Sequence, residues 1–172
     1  MPTPTGRIVR IDDSTFDLTL TRVFAAGHQD LWDSVTDPRR TADWFGTWRG
    51  DAKPGGVIEV QMRFEEGLPW MSAKVDECEA PHLLALSVID EAGGWQLELR
   101  LTQRGDDTEL VFVQHLEDPA SADSIGPGWE YYLDNLVAAR GETALPDFGD
   151  YYPDQAEYYR AEAARAIAPQ TP

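Results

Sequence analysis

Between Ile58 and Leu116 the chain alternates apolar and polar residues in five consecutive segments, and this run constrains the fold more than any other feature. Ile58, Val60, Met62 and Phe64 alternate with Glu59, Gln61 and Arg63. Trp70 to Cys78 follows as a weaker second segment, and Leu84, Leu86 and Val88 form the third. In the fourth, Trp95, Leu97, Leu99 and Leu101 oppose Gln96, Glu98, Arg100 and Thr102. In the fifth, Leu110, Phe112 and Leu116 share a face with Gln114. A period of two predicts strands that bury one face and wet the other, the pattern of an antiparallel sheet. Turn residues punctuate the run at Glu65-Glu66-Gly67, Ala80-Pro81, Ala92-Gly93-Gly94 and Arg104-Gly105-Asp106-Asp107. Upstream, Phe16, Leu18, Leu20 and Phe24 predict one more strand.

Helical spacing appears on both sides of this run. His28 to Val35 reads as a short helix with Leu31, Trp32 and Val35 inward. Thr36-Asp37-Pro38 ends it, because the residue before proline avoids the helical region, and Pro38 can open a second short helix to about Trp44. Gly46 to Gly56 reads as a loop. After the strands, Trp129, Tyr132, Leu133, Leu136 and Val137 fall on one face of a long helix, with Gly141 to cap it and Pro146 to prevent its return. The order β-α-α-β5-α predicts an α+β fold: a curved six-stranded antiparallel sheet gripping a long C-terminal helix. Such a helix either plugs the sheet or roofs a pocket in it. The expected division is a domain over residues 1–146 and an extension over 147–172. In the extension Pro153-Asp154 starts a last helix to about Ile167, and Tyr158 and Tyr159 pack on the body.

The 172 residues suffice for one domain. Thirty-one acids against fourteen bases give a formal charge of −17, which repels nucleic acid and anionic membranes. The charge reads as a device for solubility or as a surface for a basic protein partner. No apolar run approaches the ~20 residues of a membrane span. No apolar stretch follows the first basic residues, and Cys78 stands alone, so the expected location is the cytoplasm.

Little in the chain points to chemistry. His28, His82 and His115 are not at metal-ligand spacing, so no metal is expected, and no cofactor motif is present. Cys78 has no sequence neighbour to activate it and reads as an inert buried thiol. Glu77, Glu79, Asp90 and Glu91 cluster at strand ends, as on a solvated surface. Asp147-Phe148-Gly149 lacks the rest of a kinase, and Gly126-Pro127-Gly128 lacks the third glycine and the βαβ unit of a dinucleotide fingerprint. No residue stands out as catalytic.

Taken together in order, several short motifs resemble the SRPBCC superfamily (START-like, helix-grip), and within it the branch of activator of heat-shock protein 90 ATPase homologues. They are Phe24-Ala25-Ala26 leading to Leu31-Trp32, Thr36-Asp37-Pro38, Asp43-Trp44-Phe45-Gly46 and Pro54-Gly55-Gly56. Glu79-Ala80-Pro81-His82-Leu83-Leu84, Thr108-Glu109-Leu110, and Gly128-Trp129 with Leu133 and Leu136 complete the set. The resemblance implies a cavity between sheet and long helix that takes apolar molecules. It also implies relatives that act as co-chaperones. Relatives often carry histidine where Gln114 stands, and His115 is one residue out of phase, so a role built on that histidine does not transfer.

Set in that cavity, Trp44, Trp70, Trp95, Trp129 and Tyr132 would supply apolar walls, with Met62 and Phe112 beside them; the bland alternative is core packing. Gln114 shares the inward phase of Leu110 and Phe112 and needs a partner, which is a side chain, a water or a ligand. The leading functional expectation is a carrier or sensor of a small hydrophobic ligand. The alternatives are a co-chaperone-like interaction module and a polyketide cyclase-like enzyme.

Overall fold

The alternating segments pair into one antiparallel sheet, which the computed structural model of the protein describes over residues 1–90 and 93–169. Its strands are β1 (Arg7–Arg10), β2 (Phe16–Phe24), β3 (Trp48–Gly50), β4 (Val57–Gln61), β5 (Trp70–Glu79), β6 (Leu83–Asp90), β7 (Gly93–Arg104) and β8 (Asp107–Leu116). They lie in the order β1-β2-β8-β7-β6-β5-β4-β3, open at both ends. The helices are α1 (His28–Thr36), α2 (Pro38–Thr41), α3 (Ala122–Arg140) and α4 (Ala156–Ile167). Among the described residues, no helix is long and apolar enough to cross a membrane.

The fold class is the one expected, with eight strands in place of six. The two additions, β1 and β3, occupy the two edges and have four and three residues, too short to display a period. One strand is shorter than its alternation suggests. β4 stops at Gln61, and Met62 to Gly67 turns away, with Gly67 and Leu68 both at positive φ. The hairpin expected at Ala92-Gly93-Gly94 lies, at Ala92, outside the described residues; β6 and β7 pair up to Asp90 and Gly93.

A β-bulge interrupts β5 between Val75 and Glu77. The inserted residue resets the alternation, so Ala73 and Val75 face inward before it and Cys78 after it.

α3 begins one turn before Gly126 and takes Pro127 into its body. A proline at this depth forfeits one backbone hydrogen bond, and the turn ahead of it is supported by Asp118, whose side chain accepts from Ala120 N–H at 3.0 Å. Trp129, Tyr132, Leu133 and Leu136 face the sheet, whereas Val137 is 43% exposed. At i+8 from Trp129 the stripe has drifted about 80° around the helix, which carries Val137 off the buried face. At the C-terminus the Gly141 N–H closes on the Val137 carbonyl at 3.0 Å.

Two buried polar residues that the stripe does not contain hold the rest of the fold to α3. Glu130 is 1% exposed and accepts hydrogen bonds from Thr5 and Gly6 N–H in the N-terminal arm. It also accepts from Arg22 of β2 at 2.7 Å and from the Tyr159 hydroxyl of α4 at 2.6 Å. Burial raises its pKa, but these donors outweigh burial and hold the carboxyl below the ordinary glutamate value. Asn135 reaches the Trp44 carbonyl across the core. α4 closes this side, with Tyr159, Ala163 and Ala166 buried. A Cβ at Gly126 would lie 2.5 Å from the Tyr159 ring, and one at Gly6 would lie 2.3 Å from its hydroxyl, so both close approaches require glycine.

Candidate ligand-binding site

Two adjacent cavities that share lining residues lie between the inner face of the sheet and α3. The inner chamber, about 160 Å³, has a floor of β4 to β8 with Val60, Val75, Leu86, Leu99 and Phe112. Trp32 and Val35 of α1, with Trp44, Phe45 and Trp48 just after α2, wall it; Trp129 and Leu133 of α3 roof it. The outer chamber, about 390 Å³, is lined by Met62, Phe64, Glu65, Met71, Trp95 and the α3 residues Ile125, Tyr131 and Tyr132, with Phe148 at its rim. Phe45, Leu97 and Trp129 belong to both linings, and the Phe45 and Trp129 rings stack at 5.9 Å with planes 13° apart. These two rings form the partition between the chambers.

The inner chamber presents hydrocarbon almost everywhere, and most of the polar atoms around it are already engaged. The last carbonyls of a helix lack intrahelical partners. In α1 two of them are taken by tryptophans: Trp44 Nε1–H donates to the Ser34 carbonyl at 2.9 Å and Trp48 Nε1–H to the Thr36 carbonyl at 2.8 Å. Trp129 Nε1–H donates to Gln114 Oε1 at 2.7 Å. Thr36 Oγ1 donates to the Trp32 carbonyl at 2.7 Å. Glu98 accepts from Arg100 at 2.6 Å and lies 3.3 Å from His115 Nε2. Cys78, re-aimed by the bulge, adds a half-buried free thiol to the wall.

In the outer chamber the aromatics meet steeply. Phe45 and Tyr132 meet at 65°, Phe64 and Tyr131 at 86°, and Tyr131 and Phe148 at 72°. The Tyr132 hydroxyl donates to Glu65 Oε1 at 2.6 Å. Burial pushes the Tyr132 pKa well above its ordinary value, and the bond to the Glu65 carboxylate adds to the shift, so the phenol stays a neutral donor.

Of the expected lining residues, Trp44 and Phe112 stand in the inner chamber, Met62, Trp95 and Tyr132 in the outer one, and Trp129 between them. Gln114 is 1% exposed and lines neither chamber; its partner is the indole of Trp129. Trp70 is a correction. It is 42% exposed on the outer face of β5, where the Arg49 guanidinium lies 4.0 Å from its ring centre. Its phase is that of the exposed Ser72 and Lys74, and that shared phase was the available signal; Met71 is the inward residue instead. Phe45, Glu65 and Tyr131 are lining residues that periodicity did not single out, because the first two lie in turns and Tyr131 sits one step off the stripe; Phe64, in phase with Met62, lines the chamber from a turn rather than from a strand.

A family model described as "Activator of Hsp90 ATPase homolog 1-like protein" matches residues 25–141. No curated protein matches the chain. Among solved structures it is similar to CalU16 from Micromonospora echinospora, with TM-score 0.77 and 23% identity over 94% of this chain and 99% of that one. EF2215 from Enterococcus faecalis, a conserved protein of unknown function, superposes with TM-score 0.70 and 17% identity, covering 95% of this chain and 91% of the other. DynU16, a protein of the dynemicin biosynthetic locus, matches with TM-score 0.65 and 25% identity over 83% of this chain and 51% of its own length. The likeness to CalU16 and EF2215 establishes a shared fold.

Proposed function

The chain belongs to the family of Activator of Hsp90 ATPase homolog 1-like proteins, a branch of the SRPBCC superfamily, and from that premise we propose that it binds a small hydrophobic ligand in the two chambers beneath α3, as a carrier or sensor. The observation that carries this reading is the inner chamber of about 160 Å³, where three of the four lining tryptophans, Trp44, Trp48 and Trp129, give their donors to acceptors within the protein. A dry apolar cavity of about 150 Å³ is enough to bind benzene. The inner chamber therefore suits one ring or a short acyl end. Together with the outer chamber of about 390 Å³ it reaches the range of about 300–1,000 Å³ typical of small-molecule sites.

Trp129 in the partition reports on occupancy. Benzene titrated into the protein is expected to change tryptophan fluorescence saturably. Cys78→Phe, which fills the inner chamber from a half-buried wall position, is expected to weaken that response at least about tenfold, at an overpacking cost of about 1–3 kcal/mol. A linear, non-saturating response in the wild type would overturn the reading.

The family description is the sole support for a co-chaperone-like module, and an unchanged Hsp90 ATPase rate at high protein concentration would remove that alternative. A polyketide cyclase-like activity needs an acid–base group. The pair at the site is Tyr132 with Glu65, and a phenol held protonated is poorly suited to act as a base.

A further inference from the structure

Glu65 is the charged side chain of the outer chamber; among the described residues no Lys or Arg lines it. We propose that the outer chamber receives the cationic end, an ammonium or similar organic cation, of a ligand whose apolar end enters the inner chamber. This rests on the hydrophobic-ligand reading above and specifies its chemical class.

Three observations carry it. First, the Glu65 carboxylate accepts one hydrogen bond, from Tyr132, and among the described residues no Lys, Arg or His lies within ion-pair distance of it. It is thus a carboxylate without an ion-pair partner at the exposed rim of an apolar hollow. The neighbouring Arg63 donates to the Ala42 carbonyl at 2.7 Å and lies 3.9 Å from Asp43; its guanidinium stands over the Phe64 ring at 6.0 Å, and it makes no ion pair with Glu65. Second, Phe64, Trp95, Tyr131 and Tyr132 line the same space, and the Phe64 ring meets those of Tyr131 and Tyr132 at 86° and 68° rather than stacking on them. Aromatic faces attract cations through the ring quadrupole, the more so where the cation is desolvated. Third, the formal charge of −17 gives the whole surface a potential that draws cations and repels anions. A neutral ligand would use none of these features, and an anionic one would oppose two of them.

The test uses three probes sharing one ring: benzylammonium, benzyl alcohol and benzoate, titrated calorimetrically near neutral pH. The ammonium is expected to bind about tenfold or more tighter than the alcohol, a difference worth about 1.4 kcal/mol, and the carboxylate weakest. Glu65→Gln, at an exposed turn position, is expected to abolish the ammonium-over-alcohol ratio while leaving the alcohol affinity within about twofold, because the side chain keeps its size and an acceptor for Tyr132. Glu66→Gln, one residue on and outside the lining, removes the same net charge and is expected to preserve the ratio. Equal binding of ammonium and alcohol to the wild type overturns the cation proposal and leaves the hydrophobic-ligand reading standing. Loss of the ratio in both variants alike also overturns it, since the preference would then be bulk charge. If none of the three probes binds, the hydrophobic-ligand reading falls, and the cation proposal with it.

Discussion

Trp129 gives its one hydrogen-bond donor to Gln114 and its ring faces to the two chambers, so a single side chain both fixes the roof to the sheet and divides the space beneath it. Trp129→Phe keeps an aromatic partition but leaves the Gln114 Oε1 acceptor unpaired in a site that is 1% exposed. The expected loss is about 1–3 kcal/mol for the orphaned amide, read by urea denaturation. Adding Gln114→Leu to that variant removes the orphan, and the double variant is expected to be more stable than Trp129→Phe alone. Strictly additive losses would show that the hydrogen bond is not what Gln114 contributes. The inward phase of Gln114 and its need for a partner are legible from Leu110 and Phe112 beside it. The identity of the partner is not, because it stands fifteen residues on and on another element. Glu65 illustrates the opposite limit. In the chain it reads as part of a polar turn, and only the return of β4 toward α3 brings it to Tyr132.

At the scale of elements, period is what made the fold readable and its absence is what hid the edges. β2, β4, β6, β7 and β8 were legible from strict alternation, whereas β1 and β3 are too short to show one. In β5 the bulge at Asp76 breaks the alternation and so disguised the inward turn of Cys78, whereas the exposure of Trp70 was legible from its phase with Ser72 and Lys74. α4 was legible as a helix, but its role comes from pairing. Tyr159 fills the space left by Gly6 and Gly126, Tyr158 donates to the Gly6 carbonyl at 2.9 Å, and Arg165 donates to the Ile8 carbonyl at 2.9 Å. Glu162 accepts from Ile8 N–H and from Arg7. Removing residues 147–172 would uncover these groups and leave Glu130 buried without its tyrosine donor. Breaking a buried charged network costs about 3–5 kcal/mol. The truncated chain is therefore expected to melt far below the full one, or not to fold, as read by circular dichroism; an unchanged melting temperature would show that α4 is only an appendage.

Over the whole molecule, buried carboxylates and buried tyrosines are expected to act at opposite pH limits of stability. Glu130 and Glu162 are held below the ordinary 4.5 of a glutamate; burial alone would raise each, but donors from Tyr159 and Arg22 in one case and Arg165 and Ile8 in the other prevail. The unfolded chain then takes up protons first as the pH falls, so their stabilisation is complete above 4.5 and is lost through the lower native values. Tyr132, Tyr151 and Tyr159 are shifted the other way, by burial first and then by Glu65, Asp134 and Glu130. The unfolded chain releases their protons first above the ordinary 10.0, so their contribution is complete below that value and is lost as the pH rises. Stability measured by urea unfolding is thus expected to be flat between about pH 5 and pH 10 and to fall on both sides. Glu130→Gln should lower the plateau and flatten the acid limb, because its lost carboxylate no longer titrates there. Tyr159→Phe should flatten the alkaline limb and leave Glu130 with one donor fewer. If Glu130→Gln keeps the wild-type acid slope, the acid limb belongs to the many surface carboxylates behind the formal charge of −17, and not to the buried hub on α3.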